Sequence, residues 1–451
     1  MSIKWGLLGP VTLSSQRRTR TLGLGATVRL FNEKAVPGLG GLWFAKPLLL
    51  ALLGIRVAER LRDEGKSLSN IQAANAVEAL ACWLAFTKND WQSDARLQGI
   101  NTLPRDIEEL TFKKAAQRSF YVTQPMRLGT VQALPALGLV SQKNSRFNSY
   151  SCKESSPFDS EKSLGETFIE EATAEFRPNK LSVLEFLTQW ARGDRQAAGT
   201  QRKLREALSP LEPLPEEARY LLRNRLRQGD GGGRRKNILA WAEEIRQGRP
   251  CPTWDNRPEC IDEDHWRDLK AGAYFFALQA AANTALESME TYIARQEKPC
   301  LSLDEKLPEE VEDTLNTLRE KASDCQKLGE YDGLERAEAN AFIRECLQAD
   351  PCLRASSLVK RDGRVLYLDG NAVCPGPAFD WDNIRGKESA NDGNAVRPDP
   401  ASDASLPDPG DENEEDTLFP PNISFRVNNL YRLYLDLRGE LDQYLHPEEG
   451  K

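Results

Sequence analysis

Histidine is nearly missing from this chain: His265 and His446 are the only two in 451 residues. A Ser/His/Asp or Cys/His nucleophilic site would have to use one of them, and neither stands in the glycine-rich context of a nucleophile elbow. Long apolar runs are missing too. The most apolar stretch, residues 36–55, contains Pro37, four glycines, Lys46 and Pro47. Its uninterrupted part, residues 47–55, is too short to span a bilayer, so a buried helix is expected and no membrane partner. The opening MSIKWGLLGP lacks the charged-then-apolar layout of a signal peptide. The nine cysteines are scattered, which reads as free thiols in a reducing cytosol and a cytoplasmic location.

Nucleotide-binding glycine patterns are also incomplete. Gly65-Lys66-Ser67 resembles the end of a phosphate loop, but the glycine required five positions earlier is Arg60. A helix C-cap at Gly65 accounts for it. Gly23-Leu24-Gly25 and residues 38–41 are too short and lack the downstream acid of a dinucleotide site, so both are expected to be turns. No cofactor is implied.

What is present is charge, unevenly spread. The formal net charge is -8, yet residues 388–416 hold ten acids against one base, Arg397, which leaves the rest of the chain near +1. The acidic balance therefore belongs to one segment and does not argue against a basic patch elsewhere.

Apolar periodicity predicts a mainly α fold. Residues 46–64 and 69–86 read as a helical hairpin whose Ala-rich face, with Ala73, Ala74, Ala76, Ala79 and Ala81, allows close packing. Further helices are expected at 106–118, from 123 into the 130s, and at 163–176, 181–192, 200–208, 215–228, 235–247, 262–296, 308–328 and 333–349. Residues 357–360 and 365–368 read as two strands around Asp362-Gly363. Residues 375–421 are rich in Pro, Gly, Asp and Asn, a disordered linker by composition. Residues 423–445 follow as a helix with Leu430, Leu433, Tyr434, Leu437 and Leu441 on one face, which either docks back on the body or is offered to a partner. The expected domains are 1–155 (winged-helix-like), 156–374 (a multi-helix body ending in a β-hairpin), 375–422 (linker) and 423–451 (terminal helix).

The order helix, turn, helix, Leu-Gly-Leu-Val, basic turn and strand over residues 106–153 is that of a winged helix. In such a module the second helix enters the major groove of double-stranded DNA and the wing touches phosphate. Gln124, Arg127, Thr130 and Gln132 would then face DNA, with Lys143 and Arg146 on the wing. Pro135 departs from this pattern. A second basic site is Arg223, Arg225 and Arg227, then a glycine loop at 229–233, then Arg234, Arg235 and Lys236. A flexible loop flanked by cations can wrap phosphate; it can equally be a solvated connection. Arg17, Arg18 and Arg20 form a third cluster.

Cys251, Cys260 and His265 are the nearest approach to a zinc set, but their spacing matches no common zinc motif. The paired carboxylates Glu170-Glu171, Glu309-Glu310 and Asp262 to Asp264 lie in helical segments, where solvated faces are expected, so no metal site is assigned.

The segments Leu214-Pro-Glu-Glu-Ala-Arg-Tyr-Leu-Leu-Arg-Asn-Arg-Leu, Ile238-Leu-Ala-Trp-Ala and Leu269-Lys-Ala-Gly-Ala-Tyr-Phe-Phe resemble a group of uncharacterised bacterial helical proteins encoded beside anti-phage defence genes. The resemblance covers about a third of the chain and implies context only: a cytosolic component of a multi-protein system. It carries over no catalytic residue. The sequence thus points to a non-enzymatic DNA-binding or adaptor subunit that brings a nuclease, ATPase or other effector to nucleic acid. The alternatives are a pure protein-interaction scaffold and a metal-dependent nuclease of unfamiliar type.

Overall fold

The computed structural model describes residues 20, 22–152, 162–176, 181–248, 253–329, 337–381 and 418–447. The fold is mainly helical with a few small sheets, as the apolar periodicity requires. In chain order its elements begin with α1 (Gly25–Ala35), α2 (Lys46–Asp63), α3 (Asn70–Lys88), β1 (Glu109–Leu110), α4 (Phe112–Ala115), α5 (Arg127–Thr130), α6 (Ala133–Ala136), β2 (Ser141–Gln142) and β3 (Tyr150–Ser151). Then come α7 (Leu164–Ala172), α8 (Val183–Arg192), β4 (Ala197–Ala198), α9 (Arg202–Leu208), α10 (Glu216–Leu226), α11 (Gly232–Arg246), α12 (Glu263–Arg295) and β5 (Leu301–Ser302). The last are α13 (Glu309–Lys327), α14 (Ala337–Cys346), α15 (Pro351–Asp362), β6 (Leu366–Asp369), β7 (Ala372–Pro375), α16 (Phe425–Arg438) and α17 (Leu441–Leu445).

The chain forms two compact units, Met1–Phe31 with Leu269–Pro398 and Asn32–Asp268 with Asp399–Lys451. They do not follow the expected division at residue 155. Helices α7, α8 and α9, assigned from sequence to the body, pack on α2 and α3 and so join the second unit.

In the first unit Phe275, Leu278, Leu286, Met289 and Ile293 of α12 meet Val311, Leu315 and Leu318 of α13 and Phe342 of α14 in one buried core. A three-stranded antiparallel sheet, ordered β5-β7-β6, closes one side of that core with Leu301, Leu366 and Val373. The strand expected at residues 357–360 is helix instead. Asp350 caps α15 by accepting from Cys352 N, Pro351 starts it, and Gly363 ends it in a left-handed conformation. The hairpin therefore forms later, between β6 and β7. Cys300 and Cys374 are joined in a disulfide, which corrects the expectation that all nine thiols are free.

The second unit is built on α2 and α3, which are buried along most of their length. Their axes come close because a Cβ on Gly54 would sit 2.3 Å from Ala74 Cα. Ser69 opens α3 with a capping box to Gln72. The helix expected at 106–118 shrinks to α4, because Glu109 and Leu110 pair with Ala198 and Ala197 as β1 and β4. The helix expected after residue 123 is two short pieces, α5 and α6.

The linker expected at 375–422 falls mostly on residues 382–417, outside the described residues. The terminal helix beyond it docks: α16 packs on α10 and α11, Arg223 donates to Leu437 O at 2.6 Å, and Asp436 accepts from Ala45 N at 2.7 Å. Among the described residues no helix is long and apolar enough to cross a membrane.

Candidate functional site

Helix α2 ends in a turn where Gly65 takes φ +81° and the Lys66 N–H reaches back to Leu61 O at 2.9 Å. That is the Schellman-type cap anticipated for Gly-Lys-Ser, and it aims the chain into Ser69 and α3. Across from this turn lies the hairpin of β2 and β3, whose loop passes through a 3-10 turn at Phe147–Ser149. Asn70, fully buried, fastens the two together. Its Nδ2 donates to Phe147 O at 3.1 Å and Tyr150 O at 2.9 Å, and its Oδ1 accepts from Arg62 Nη1 at 2.9 Å. Ile71 N adds a bond to Asn148 Oδ1 at 3.0 Å.

Glu59 fixes the base of the hairpin. Its Oε1 accepts from Ser151 Oγ at 2.6 Å and Cys152 N at 3.0 Å, while Oε2 accepts from Arg56 Nη1 at 2.6 Å. Between turn and hairpin lies a polar cleft of about 650 Å³, lined by Glu59, Arg62, Asp63, Ser67, Lys143 and Asn148 among others. Lys143 lines it, and Lys66 on the turn and Arg146 on the hairpin loop are exposed; none of the three makes an ion pair among the described residues. Of the two carboxylates that line the cleft, Glu59 is held by its three donors, and Asp63 is exposed.

The expected groove-reading face is not assembled. Arg127 is 7 % exposed; its Nε donates to Asn75 Oδ1 at 2.9 Å and its guanidinium lies 4.9 Å from the Phe147 ring centre. Thr130 is fully buried and its hydroxyl donates to Arg127 O at 2.8 Å. Neither can reach a base edge, because α5 packs on α2 and α3 instead of standing out from them. Gln132 is exposed, but its Oε1 accepts from Arg426 Nη2 at 3.0 Å. Gln124 is half-buried. Of the six residues placed on the winged module, Lys143 and Arg146 are the two that lie exposed and close together, on the hairpin loop.

The glycine loop is also organised differently. Arg235, fully buried, donates from Nε to Leu226 O at 2.8 Å, from Nη2 to Gln228 O at 2.7 Å, and from Nη1 to Pro37 O at 2.9 Å and Asp230 O at 3.1 Å. It is the internal clasp of the loop and is unavailable to phosphate. Arg234 pairs with Asp268 at 2.7 Å and donates to Lys34 O. Arg223 pairs with Glu216 and Arg225 donates to Leu137 O at 2.9 Å. Only Arg227 and Lys236 of this set are exposed without an ion pair among the described residues. Arg17 and Arg18 lie outside the described residues, and Arg20 pairs with Glu290.

His265 is fully buried, with Nε2 bonded to Ala35 O at 2.9 Å and Nδ1 to Asn237 Nδ2 at 3.2 Å. Burial lowers its pKa to about 4. Both ring nitrogens are thus committed within the protein. Cys251 lies outside the described residues, and among those described no three His, Cys, Asp or Glu side chains are grouped to hold a metal ion.

Among the buried charged groups that had no sequence signal are Glu78 and Lys46. Glu78 sits on the apolar α3 and binds the backbone of α5; Lys46, the first residue of α2, is buried with Nζ 3.3 Å from Ala207 O. Burial lowers the Lys46 pKa to about 8, with Asp436 and Glu212 opposing. A charge at a helical position reads as solvated until its neighbours in space are known.

These features define a mainly helical two-unit protein with a cleft between the α2–α3 turn and the β2–β3 hairpin, lined by Arg62 and Lys143 together with Glu59 and Asp63. No family model, curated protein or solved structure matches the chain.

Proposed function

We propose that the chain is a non-enzymatic DNA-binding adaptor that grips the phosphate backbone of double-stranded DNA at the hairpin cleft and does not read base sequence. The observation that carries this is Lys143 in the cleft lining, with Lys66 and Arg146 exposed on the turn and the hairpin loop that bound it and no ion pair on any of the three among the described residues. Cations fix a protein on the duplex, whereas base-edge contacts specify sequence. With Arg127 and Thr130 withdrawn into the core, the first contribution remains and the second is lost. An adaptor of this kind would serve a multi-protein bacterial system, the anti-phage setting included, by holding a nuclease or ATPase effector near nucleic acid from a cytoplasmic location.

Fluorescence anisotropy against labelled duplexes of unrelated sequence, at two salt concentrations, tests it. Binding should be sequence-tolerant and salt-sensitive. Lys143→Ala/Arg146→Ala should lower the slope of log affinity against log salt by about 1.8, since each phosphate contact contributes roughly 0.9. Absence of binding at low salt would remove the proposal and leave the protein-interaction scaffold in its place.

A further inference from the structure

The Cys300–Cys374 disulfide lies where β5 meets β7. Its Cα atoms are 4.6 Å apart, one step beyond the Leu301↔Val373 pair of the ladder, so the two cysteines face each other directly across the strands. Such directly opposed positions approach to about this distance in non-hydrogen-bonded pairs. Strand β5 is two residues long and connects α12 to α13. Apart from the disulfide, its polar ties to the hairpin are the two-residue ladder, the bond from Leu303 N to Asn371 O at 2.9 Å and the Asn371–Asp304 side-chain contact.

Cys300 is exposed, whereas Cys374 is 6 % exposed. Burial pushes the Cys325 thiol up to about 12 and raises those of Cys346 and Cys352 as well. Thiols held protonated are poor nucleophiles, which disfavours attack on the bond by these neighbours. An external thiolate meets no such barrier at Cys300.

We propose that Cys300–Cys374 is a reversible redox staple, opened by an external thiol at Cys300, the exposed residue of the pair, which sets the firmness of the connection between α12 and α13. The first thiolate attacks Cys300 Sγ, forms a mixed disulfide and expels the Cys374 thiolate, which takes up a proton. A second thiol then releases Cys300, so two electrons pass to the protein and two external thiols end as one disulfide. Leu301, Leu303 and Leu307 are buried in the core and keep the segment anchored. Opening therefore loosens β5 without melting the helices.

The test uses the full chain, purified without reductant and then equilibrated with reduced glutathione under native conditions. Thiols are alkylated after denaturation and counted by mass spectrometry, with amide exchange followed in parallel. Two more cysteines should become alkylated after reduction. Exchange should rise at least tenfold at Leu301 to Leu303 and at Ala372 to Cys374, with no change in helical circular dichroism. Cys300→Ser should show the loosened exchange pattern in both redox conditions. The proposal fails if no disulfide is found before reduction, or if the bond yields only after denaturation. It also fails if reduction melts the helices, or if it leaves exchange at β5 unaltered.

Discussion

Glu78 spends both carboxylate oxygens on the backbone that starts α5: Oε1 accepts from Met126 N at 2.7 Å and Oε2 from Arg127 N at 2.9 Å. The Tyr121 hydroxyl bonds Cys82 Sγ at 3.3 Å. One acid on α3 thus orients the segment that carries Arg127 and Thr130, and holds it inside the protein.

That arrangement has a pH signature. Burial, opposed chiefly by the Arg127 and Met126 N–H donors, pushes the Glu78 carboxyl from 4.5 up to about 7. A carboxyl raised in the folded state binds its proton there while the unfolded chain has lost it, so stability falls as pH rises from about 4.5 to about 7. The loss attributable to Glu78 is about 3 kcal/mol, at 1.36 kcal/mol per pH unit. In urea denaturation, the stability of the wild type relative to Glu78→Gln should decline across that window and level off above it. A difference independent of pH would show that Glu78 does not titrate there.

His265 imposes the opposite slope. Its folded pKa of about 4 lies below the ordinary 6.5, chiefly through burial, so the folded state resists the proton that the unfolded chain accepts. Stability is complete above about pH 6.5 and is lost as pH falls toward 4, by about 3 kcal/mol in total. Relative to His265→Gln, the wild type should gain stability as pH rises from 4 to 6.5. Because Glu78 and His265 act in opposite directions over overlapping windows, the parent protein should show a flatter profile than either variant. A variant profile as flat as the parent's would exclude that compensation.

Arg235 clasps the glycine loop from within, and its removal would leave the carbonyls of Leu226, Gln228, Asp230 and Pro37 without this donor. At about 1 kcal/mol for each lost bond, Arg235→Ala should destabilise by roughly 3 to 5 kcal/mol. Duplex binding at a temperature where the variant remains folded should be unchanged, unlike that of Lys143→Ala/Arg146→Ala. Thermal unfolding and anisotropy on the same samples separate the two roles; weakened binding in folded Arg235→Ala would return this loop to the phosphate-contacting surface.

Most helices of the fold were legible, because 3.6-residue periodicity and local caps act within a few residues. Residues 46–64 and 69–86 against the observed Lys46–Asp63 and Asn70–Lys88 illustrate this. Capping also explains a failure: Asp362-Gly363 suits a hairpin turn, but the Asp350-Pro351 start made the preceding segment helical. The turn expected at Gly23-Leu24-Gly25 is present at Gly23, with φ +74°, but Gly25 already opens α1, which the glycine pattern conceals. The site was less legible than the fold. An arginine is the same letter whether it faces solvent, as Arg146 does, or serves four carbonyls, as Arg235 does. The distinction depends on Pro37, which is 198 positions away.

Close approach of α2 and α3 was foreshadowed by the alanines of α3, and Gly54 is the residue that makes it possible. A Cβ there would meet Ala74 Cα at 2.3 Å, Ala74 N at 2.6 Å and Ala74 Cβ at 2.7 Å. Two of the three clashes are with backbone, so the helices must move apart and the leucines packed around them must shift. Gly54→Ala should cost about 1 to 3 kcal/mol by overpacking, in spite of alanine's better helix propensity. Adding Ala74→Gly removes only the Cβ clash and should not restore the melting temperature. Full rescue by that second change would mean that side-chain crowding, and not backbone contact, limits the approach. Because Asn70 and Glu59 of these same helices hold the hairpin, Gly54→Ala should also displace Lys143 and weaken duplex binding, an effect readable by anisotropy below the variant's unfolding temperature.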